Sequence, residues 1–407
     1  MPDHATQTLL VTVSGDDRPG VTSTLFDAIA DVGAEVLDLE QVVVRGHLTL
    51  ALLLSAGPQD LRLRGVVESV ATALGMQVTV ETGSGDNAPR RGGRAAVVVI
   101  GAPLLASAVA AVATRIAAHG ANIDRIRRLS RYPVTTVEFD ISGANVAVLR
   151  SELSLEAAVR GVDIAVAPSG LARRGRRLVV MDVDSTLIQD EVIELLAARA
   201  GRESEVAAVT SAAMRGEIDF AESLRARVAT LAGLPVTVLD EVRADIRLTA
   251  GARTLVRTMK RLGFTLALVS GGFIEIVGPL AAELGIDLAH ANRLEVLDGV
   301  LTGGLVGDIV DRRGKATALR RFAAEEGLPL SRTVAIGDGA NDLDMLAAAG
   351  LGVAFNAKPI VREQADTAVN VPYLDAVLYL LGISREEIEE ADEADGTPTR
   401  APHLPAR

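Results

Sequence analysis

Cysteine is missing from all 407 residues. Its absence excludes disulfide frameworks, thiolate zinc sites and cysteine nucleophiles. Lysine is nearly missing: of 41 basic residues only Lys260, Lys315 and Lys358 are lysine, the rest arginine. Lysine is a compact point charge and arginine a planar fork, so each surviving lysine is noticeable. An excess of positive charge is also lacking. The net charge of −12 argues against a nucleic-acid partner. The start, Met1-Pro2-Asp3-His4, has neither a basic segment nor an apolar h-region, so no signal peptide is expected and a cytoplasmic location is. The longest uncharged run, Ala95 to Thr114, contains Gly101 and Pro103. It reads as a strand, a turn and an Ala-rich helix, and no membrane partner is expected.

What is present suits burial: 49% of the residues are apolar, and 407 residues imply two or three domains. The N-terminal portion reads as an internal repeat. In the first copy a strand at Leu9–Gly15 leads through the turn Asp17-Arg18-Pro19-Gly20 into a helix over 21–32. Strands over 36–44 and 47–54, a helix over 60–74 and a strand over 77–81 complete it. The second copy repeats the order from 96 to 167, with the turn Gly101-Ala102-Pro103 and with Asn122 after a helix-ending Gly120. This βαββαβ order is ferredoxin-like. Gly, Pro and charge over 83–94 mark a linker. The basic run Arg173-Arg174-Gly175-Arg176-Arg177 reads as a solvated linker.

The chemistry concentrates further on. Val179-Val180-Met181-Asp182-Val183-Asp184-Ser185-Thr186 is an apolar strand ending in two acids spaced one apart. Residues i and i+2 of a strand point the same way, and open α/β sheets bind ligands at the C-terminal ends of their strands. Neighbouring carboxylates repel unless a cation or a shared proton intervenes, which points to a hard metal such as Mg²⁺. Acids that merely cap the next helix are the alternative on this stretch alone. A second site favours the metal: Thr333-Val334-Ala335-Ile336-Gly337-Asp338-Gly339-Ala340-Asn341-Asp342 repeats the design, and one helical turn brings Asp338 and Asp342 to one face. Between them Leu266-Ala267-Leu268-Val269 ends in Ser270-Gly271-Gly272, whose N–H groups could cradle an anion. Residues 193–248 are helical by pattern and interrupt the α/β alternation.

These motifs resemble the haloacid-dehalogenase phosphatase superfamily: Asp182 to Thr186 as the first, Ser270 as the second, Lys315 as the third and Asp338 to Asp342 as the fourth. Glu191, Met214, Phe220-Ala221-Glu222-Ser223-Leu224-Arg225-Ala226-Arg227-Val228 and Phe355-Asn356-Ala357-Lys358-Pro359 narrow the likeness to the phosphoserine phosphatase family. Each N-terminal copy resembles an ACT module, and the first carries that family's Asp-x-Pro-Gly turn. The fold class is therefore α/β: a parallel-sheet, Rossmann-like core with a helical cap, preceded by two ferredoxin-like ACT domains. The expected boundaries are ACT-like domains over 1–83 and 95–170, a linker over 84–94, a phosphatase domain over 171–383 with its cap near 193–248, and an acidic tail over 384–407, briefly helical and then disordered.

The resemblance implies Mg²⁺-dependent hydrolysis of O-phospho-L-serine, the last step of L-serine synthesis. Asp182 would be the nucleophile and Asp184 the general acid and base. Asp182, Asp184 (through its carbonyl), Asp338 and Asp342 would form the metal shell. Ser270, Gly271, Gly272, Lys315 and Asn341 would contact the phosphoryl group, and Glu191, Met214, Phe220 and Arg227 the amino acid. Asp17, Gly20 and Asn122 would bind an amino-acid effector, L-serine by economy, in a homo-oligomer that is a dimer or larger. Two alternatives keep the residues and change the function: a phosphotransferase to another alcohol, and an amino-acid sensor with a vestigial phosphatase half.

Overall fold

The structure is a computed structural model that describes residues 7–55, 57–84, 92–170, 173, 175–215 and 217–397. It divides into two compact units, 1–90 and 91–407.

The first unit is one ACT-like module. Its strands Gln7–Asp16, Glu35–Val44, His47–Ser55 and Gln77–Ser84 form an antiparallel sheet in the order second, third, first, fourth. Alternate residues Leu9, Val11 and Val13, and Leu48, Leu50, Leu52 and Leu54, point to one face. There they pack on Val21, Leu25 and Ile29 of helix Val21–Ala30 and on Leu63, Val67 and Ala71 of helix Asp60–Ala73. Period 2 meets period 3.6, which is why this unit was readable in the sequence. Strand Glu35–Val44 is exposed along its length and pairs on one side only among the described residues. Most of the expected linker, 85–91, lies outside the described residues.

The second unit opens with the other ACT-like module: strands Ala95–Gly101, Asn122–Ser130, Thr135–Ser142 and Asp163–Pro168, in the equivalent order, with helices Ala106–Ala118 and Val146–Arg160. Strand Ala95–Gly101 is buried at every residue. One face meets its own helices; on the other, Val98 and Ile100 join the hydrophobic core of the catalytic half. Burial on both faces explains a continuous apolar run where the first copy alternates. The expectation of a solvated basic linker is corrected here. Arg173 pairs with the buried Glu138 at 2.5 Å and Arg177 is itself buried.

The catalytic half is built on a seven-stranded sheet. In spatial order its strands are Val300–Val306, Leu288–Leu297, Thr265–Phe273, Leu178–Met181, Thr333–Gly337, Leu351–Phe355 and Thr367–Val369. All neighbours are parallel except the first pair, a hairpin that the sequence reading did not anticipate. Met181 at the centre is level with Leu268 on one side and Ile336 on the other. The three motif-bearing strands are therefore adjacent and end at one height. Four helices, Val192–Ala200, Glu203–Met214, Phe220–Ala229 and Val238–Asp245, form the cap region. The hairpin meets this region through Gly233 N–H to the Leu301 carbonyl and Leu301 N–H to the Leu234 carbonyl, both 2.8 Å. The tail helix Arg385–Ala394 is docked: Asp392 is fully buried and takes Arg257 and Arg261, each at 2.5 Å. The tail beyond 397 lies outside the described residues. No described helix is long and apolar enough to cross a membrane.

Candidate active site

The central strand ends at Met181 because Asp182 turns its backbone N–H to the Ile336 carbonyl (2.9 Å) and accepts the Val183 N–H on its own Oδ1 (2.8 Å). Ser185, three residues beyond Asp182, has φ 57 and folds the chain back. The turn brings the acids from two strand ends together. Single carboxylate oxygens of Asp182, Asp338 and Asp342 lie within 4.8 Å of one another. The buried ammonium of Lys315 sits 2.7 Å from both Asp182 Oδ2 and Asp342 Oδ1. Gly337 makes room for Asp342, since a Cβ there would land on the Asp342 carboxyl.

The electrostatics follow from two buried acids, Asp182 and Asp342, the half-buried Asp338 and one buried base. Burial first and the Asp342 charge second push the Asp182 carboxyl well above the usual range, against the pull of Lys315. Asp338 is pushed up to about 6 by burial and Asp342. Burial works against the Lys315 charge, but Asp182 and Asp342 outweigh it and hold the ammonium above its ordinary pKa. The site is short of positive charge, and its donors are all hard oxygens, the chemistry of a divalent cation site.

Asp184 points elsewhere. Its Oδ1 accepts the Val192 N–H (2.9 Å), and its Oδ2 is 3.4 Å from Ser270 Oγ. Burial, with Glu191 next, pushes it up to about 7. A carboxylic acid at that value can both give and take a proton near neutrality. Its carboxylate is outside the three-acid cluster, as the expected contact through its backbone carbonyl requires. Ser270 Oγ in turn accepts the Gly272 N–H at 2.8 Å. Gly272 allows a close approach, since a Cβ there would stand 3.1 Å from both Asp184 Oδ2 and Ser270 Oγ.

A cavity of about 100 Å³ opens beside these groups, lined by Glu191, Phe220, Leu224, Arg227, Gly271, Gly272 and Asn341 among others. Helix Phe220–Ala229 aims its residues through a capping box, with Asp219 Oδ1 accepting Glu222 N–H and Glu222 accepting Asp219 N–H. Phe220, Leu224 and Arg227 recur at helical spacing and so share a face. Burial depresses the Arg227 pKa, opposed by Glu191 and Asp184. Glu191 accepts the Ser185 hydroxyl at 2.7 Å. Met214 ends its helix, and its side chain lies outside the described residues.

Thr186 is a site residue that received no role from sequence. Its hydroxyl donates to Asp338 Oδ1 (2.9 Å), and its carbonyl accepts from the Thr249 hydroxyl (2.7 Å). Only its adjacency to the acidic pair signalled it. In the first unit, Gly20 takes φ 96 at the start of its helix, and the Asp17 N–H bonds to the Gly46 carbonyl (2.7 Å). The Asn122 amide is turned to Asp124 Oδ1 of its own strand (2.8 Å).

Comparison with known proteins accords with this geometry. Residues 179–347 match the haloacid dehalogenase-like hydrolases, and 7–81 and 94–167 each match ACT domains. A phosphoserine phosphatase of Streptomyces coelicolor is 62% identical over 95% of this chain and 94% of its own. The chain belongs to the phosphoserine phosphatase family. Another member, from Mycobacterium tuberculosis, is 54% identical over 95% of this chain and 96% of its own. Among solved structures, a probable phosphoserine phosphatase from Vibrio cholerae superposes with a TM-score of 0.56 at 32% identity, over 75% of this chain and 89% of that one.

Proposed function

We propose that the chain hydrolyses O-phospho-L-serine to L-serine and phosphate, the last step of L-serine synthesis, with Asp182 as nucleophile. The observation that carries this reading is the acidic centre of Asp182, Asp338 and Asp342 beside a small cavity that offers both Glu191 and Arg227. An acid and a base across one small cavity complement an ammonium and a carboxylate, the two ends of a free amino acid.

The residues divide the work. An Asp182 oxygen forms a bond to phosphorus while the bond from phosphorus to the serine oxygen breaks, and Asp184 gives its proton to that oxygen. Asp184, now ionised, takes a proton from a water whose oxygen attacks the phosphorus of the aspartyl-phosphate, which releases phosphate and restores Asp182. Ser270, Gly271, Gly272 and Asn341 hold the phosphoryl oxygens, and Lys315 offsets charge that grows in the transition state. Arg227 grips the carboxylate, Glu191 the ammonium, and Phe220 with Met214 excludes water. Asp182, Asp338, Asp342 and the Asp184 carbonyl suit Mg²⁺, which when bound neutralises carboxylate and phosphoryl charge. Phosphate release from L-phosphoserine, measured with and without Mg²⁺, tests the reading; no release in either condition refutes it.

We divide the chain into ACT-like modules over 1–83 and 95–170, a phosphatase domain over 171–383 and a tail. The ACT modules take L-serine as effector near Asp17, Gly20 and Asn122, in a homo-oligomer. Leu39, Val42 and Val44, half or more exposed on an edge strand, support self-association.

A further inference from the structure

We infer that Asn292 is the positioning residue that locks the two phosphoryl-binding elements to each other. It rests on the phosphatase reading above. Asn292 lies on strand Leu288–Leu297, opposite Phe273, where the parallel register between this strand and Thr265–Phe273 breaks after Ser270. The break is what frees Gly271 and Gly272 from the sheet ladder, with Ser270 still paired to Ala291. A loop so freed needs another anchor, and Asn292 supplies it. The side-chain Nδ2 donates to the Gly271 carbonyl at 2.8 Å. The Oδ1 accepts the Val310 N–H, also at 2.8 Å. Val310 immediately precedes Asp311, whose side chain caps helix Arg312–Glu325 by accepting the Gly314 N–H (2.8 Å). The Lys315 N–H bonds to the Asp311 carbonyl at 2.9 Å. One amide thus ties the glycine loop to the first turn of the helix that carries Lys315.

The chemistry of the partners fixes the residue type. A carbonyl on one side demands a donor and an N–H on the other demands an acceptor, so the orientation of the amide is not ambiguous. Asn292 is only 2% exposed, so neither partner can turn to water if the amide is lost. The anchored loop matters twice over. It holds the Gly272 N–H on Ser270 Oγ, which faces Asp184. It also puts Gly271 against Phe220, where a Cβ would lie 3.3 Å from the ring. Asn292 touches no reacting group and acts through Gly271 and Val310.

The test compares Asn292→Ala and Asn292→Asp in the full chain, with L-phosphoserine and with an aryl phosphate. Both variants should lose about 10- to 100-fold in kcat/KM on both substrates, since the damage is to phosphoryl binding and not to amino-acid recognition. The loss should lie mainly in kcat, with the phosphoserine KM within a few-fold of the parent. Asn292→Asp adds a readout that a merely structural role would not move. Ionised, its carboxylate faces the Gly271 carbonyl with no proton; protonated, it reproduces the amide, donating to Gly271 and accepting from Val310. The titratable groups on the elements packed here are Glu275, bonded to the Leu294 N–H, and Asp311, next to Val310, with His290 and Arg293 on the strand of Asn292 and Lys315 on the helix after Asp311. The ratio of Asn292→Asp activity to parent activity should therefore rise as pH falls, while the Asn292→Ala ratio stays flat. A folded Asn292→Ala within two-fold of the parent overturns the inference, as does a loss confined to phosphoserine. If Asn292→Ala does not fold, a flat ratio for Asn292→Asp overturns it instead. Because the aryl phosphate reports on phosphoryl transfer alone, a parent enzyme that ignores phosphoserine refutes the substrate assignment without touching this inference.

Discussion

Replacing Lys315 by Met keeps the length and most of the volume of the side chain and deletes one charge. That charge lies 2.7 Å from Asp182 and from Asp342 in a fully buried site. Removing one partner of a buried ion pair costs about 3–5 kcal/mol, because the remaining charge is left uncompensated. At about 2–4 °C per kcal/mol for a domain of this size, the midpoint of thermal unfolding should fall by about 6–20 °C. The sign of the pH dependence is set by Asp182. Its carboxyl already sits above its unfolded value through burial and Asp342, and Lys315 is what opposes the rise. Without Lys315 it rises further. A carboxyl with a raised folded pKa contributes most below its ordinary unfolded value, and that contribution is lost as pH climbs through the folded one. The loss in Lys315→Met should therefore be smaller in acidic buffer and grow as pH rises. Millimolar Mg²⁺ at the higher pH should recover part of it, since a cation in the acidic centre does what the ammonium did. Differential scanning calorimetry of both proteins at two pH values, with and without Mg²⁺, reads all of this. An equal loss at both pH values that Mg²⁺ does not change would refute the charge argument.

Three further outcomes are expected. Asp182→Asn should abolish turnover with the fold intact, and trapped phosphoenzyme from the parent should carry its label on Asp182 and nowhere else. Arg227→Ala should lose at least ~2 kcal/mol of transition-state binding on phosphoserine and little on an aryl phosphate that lacks the carboxylate; equal losses would remove Arg227 from specificity. Gly20→Ala should weaken the response to L-serine and leave basal activity within a few-fold, because alanine at φ 96 is strained while the space around its Cβ is open; an unchanged serine titration of the full chain would dismiss the Gly20 turn as the effector site.

Much of this was legible because period and punctuation agree. The first ACT-like module alternates cleanly along Leu48, Leu50, Leu52 and Leu54, and the three catalytic strands end in residues that no ordinary turn needs. What stayed hidden depends on tertiary partners. Thr186 and Asn292 are ordinary residues in sequence; only the arrival of Asp338 in one case, and of Gly271 and Val310 in the other, gives them work. The hairpin of Leu288–Leu297 and Val300–Val306 was missed because its outer strand carries little burial to set a period. The basic run at 173–177 read as solvated because the acid that neutralises Arg173, Glu138, lies on a strand of the preceding module.

The Arg173–Glu138 pair is one of several contacts that join the second ACT-like module to the catalytic half. Its strand Asp163–Pro168 runs along the outermost strand of the catalytic sheet, Thr367–Val369, without a backbone ladder between them. Side chains make the junction. The Thr367 hydroxyl donates to the Ile164 carbonyl (2.8 Å), Asp163 Oδ2 accepts the Asn370 N–H (2.7 Å), and Arg150 pairs with Asp366 (2.6 Å). Asp366 Oδ2 also accepts the Gly352 N–H (2.9 Å), one strand further in. Burial pushes Asp163 up to about 6 even though Asn370 lowers it. An isolated ACT-like module would leave this carboxyl in water. Its desolvation, the two-sided burial of Ala95–Gly101 and the neutralised Arg173 all make this copy structurally part of the catalytic unit. The first copy encloses a hydrophobic core of its own between its alternating sheet and its two helices. The second module thus braces the edge of the catalytic sheet, while the first keeps its Asp-x-Pro-Gly turn and one edge strand exposed.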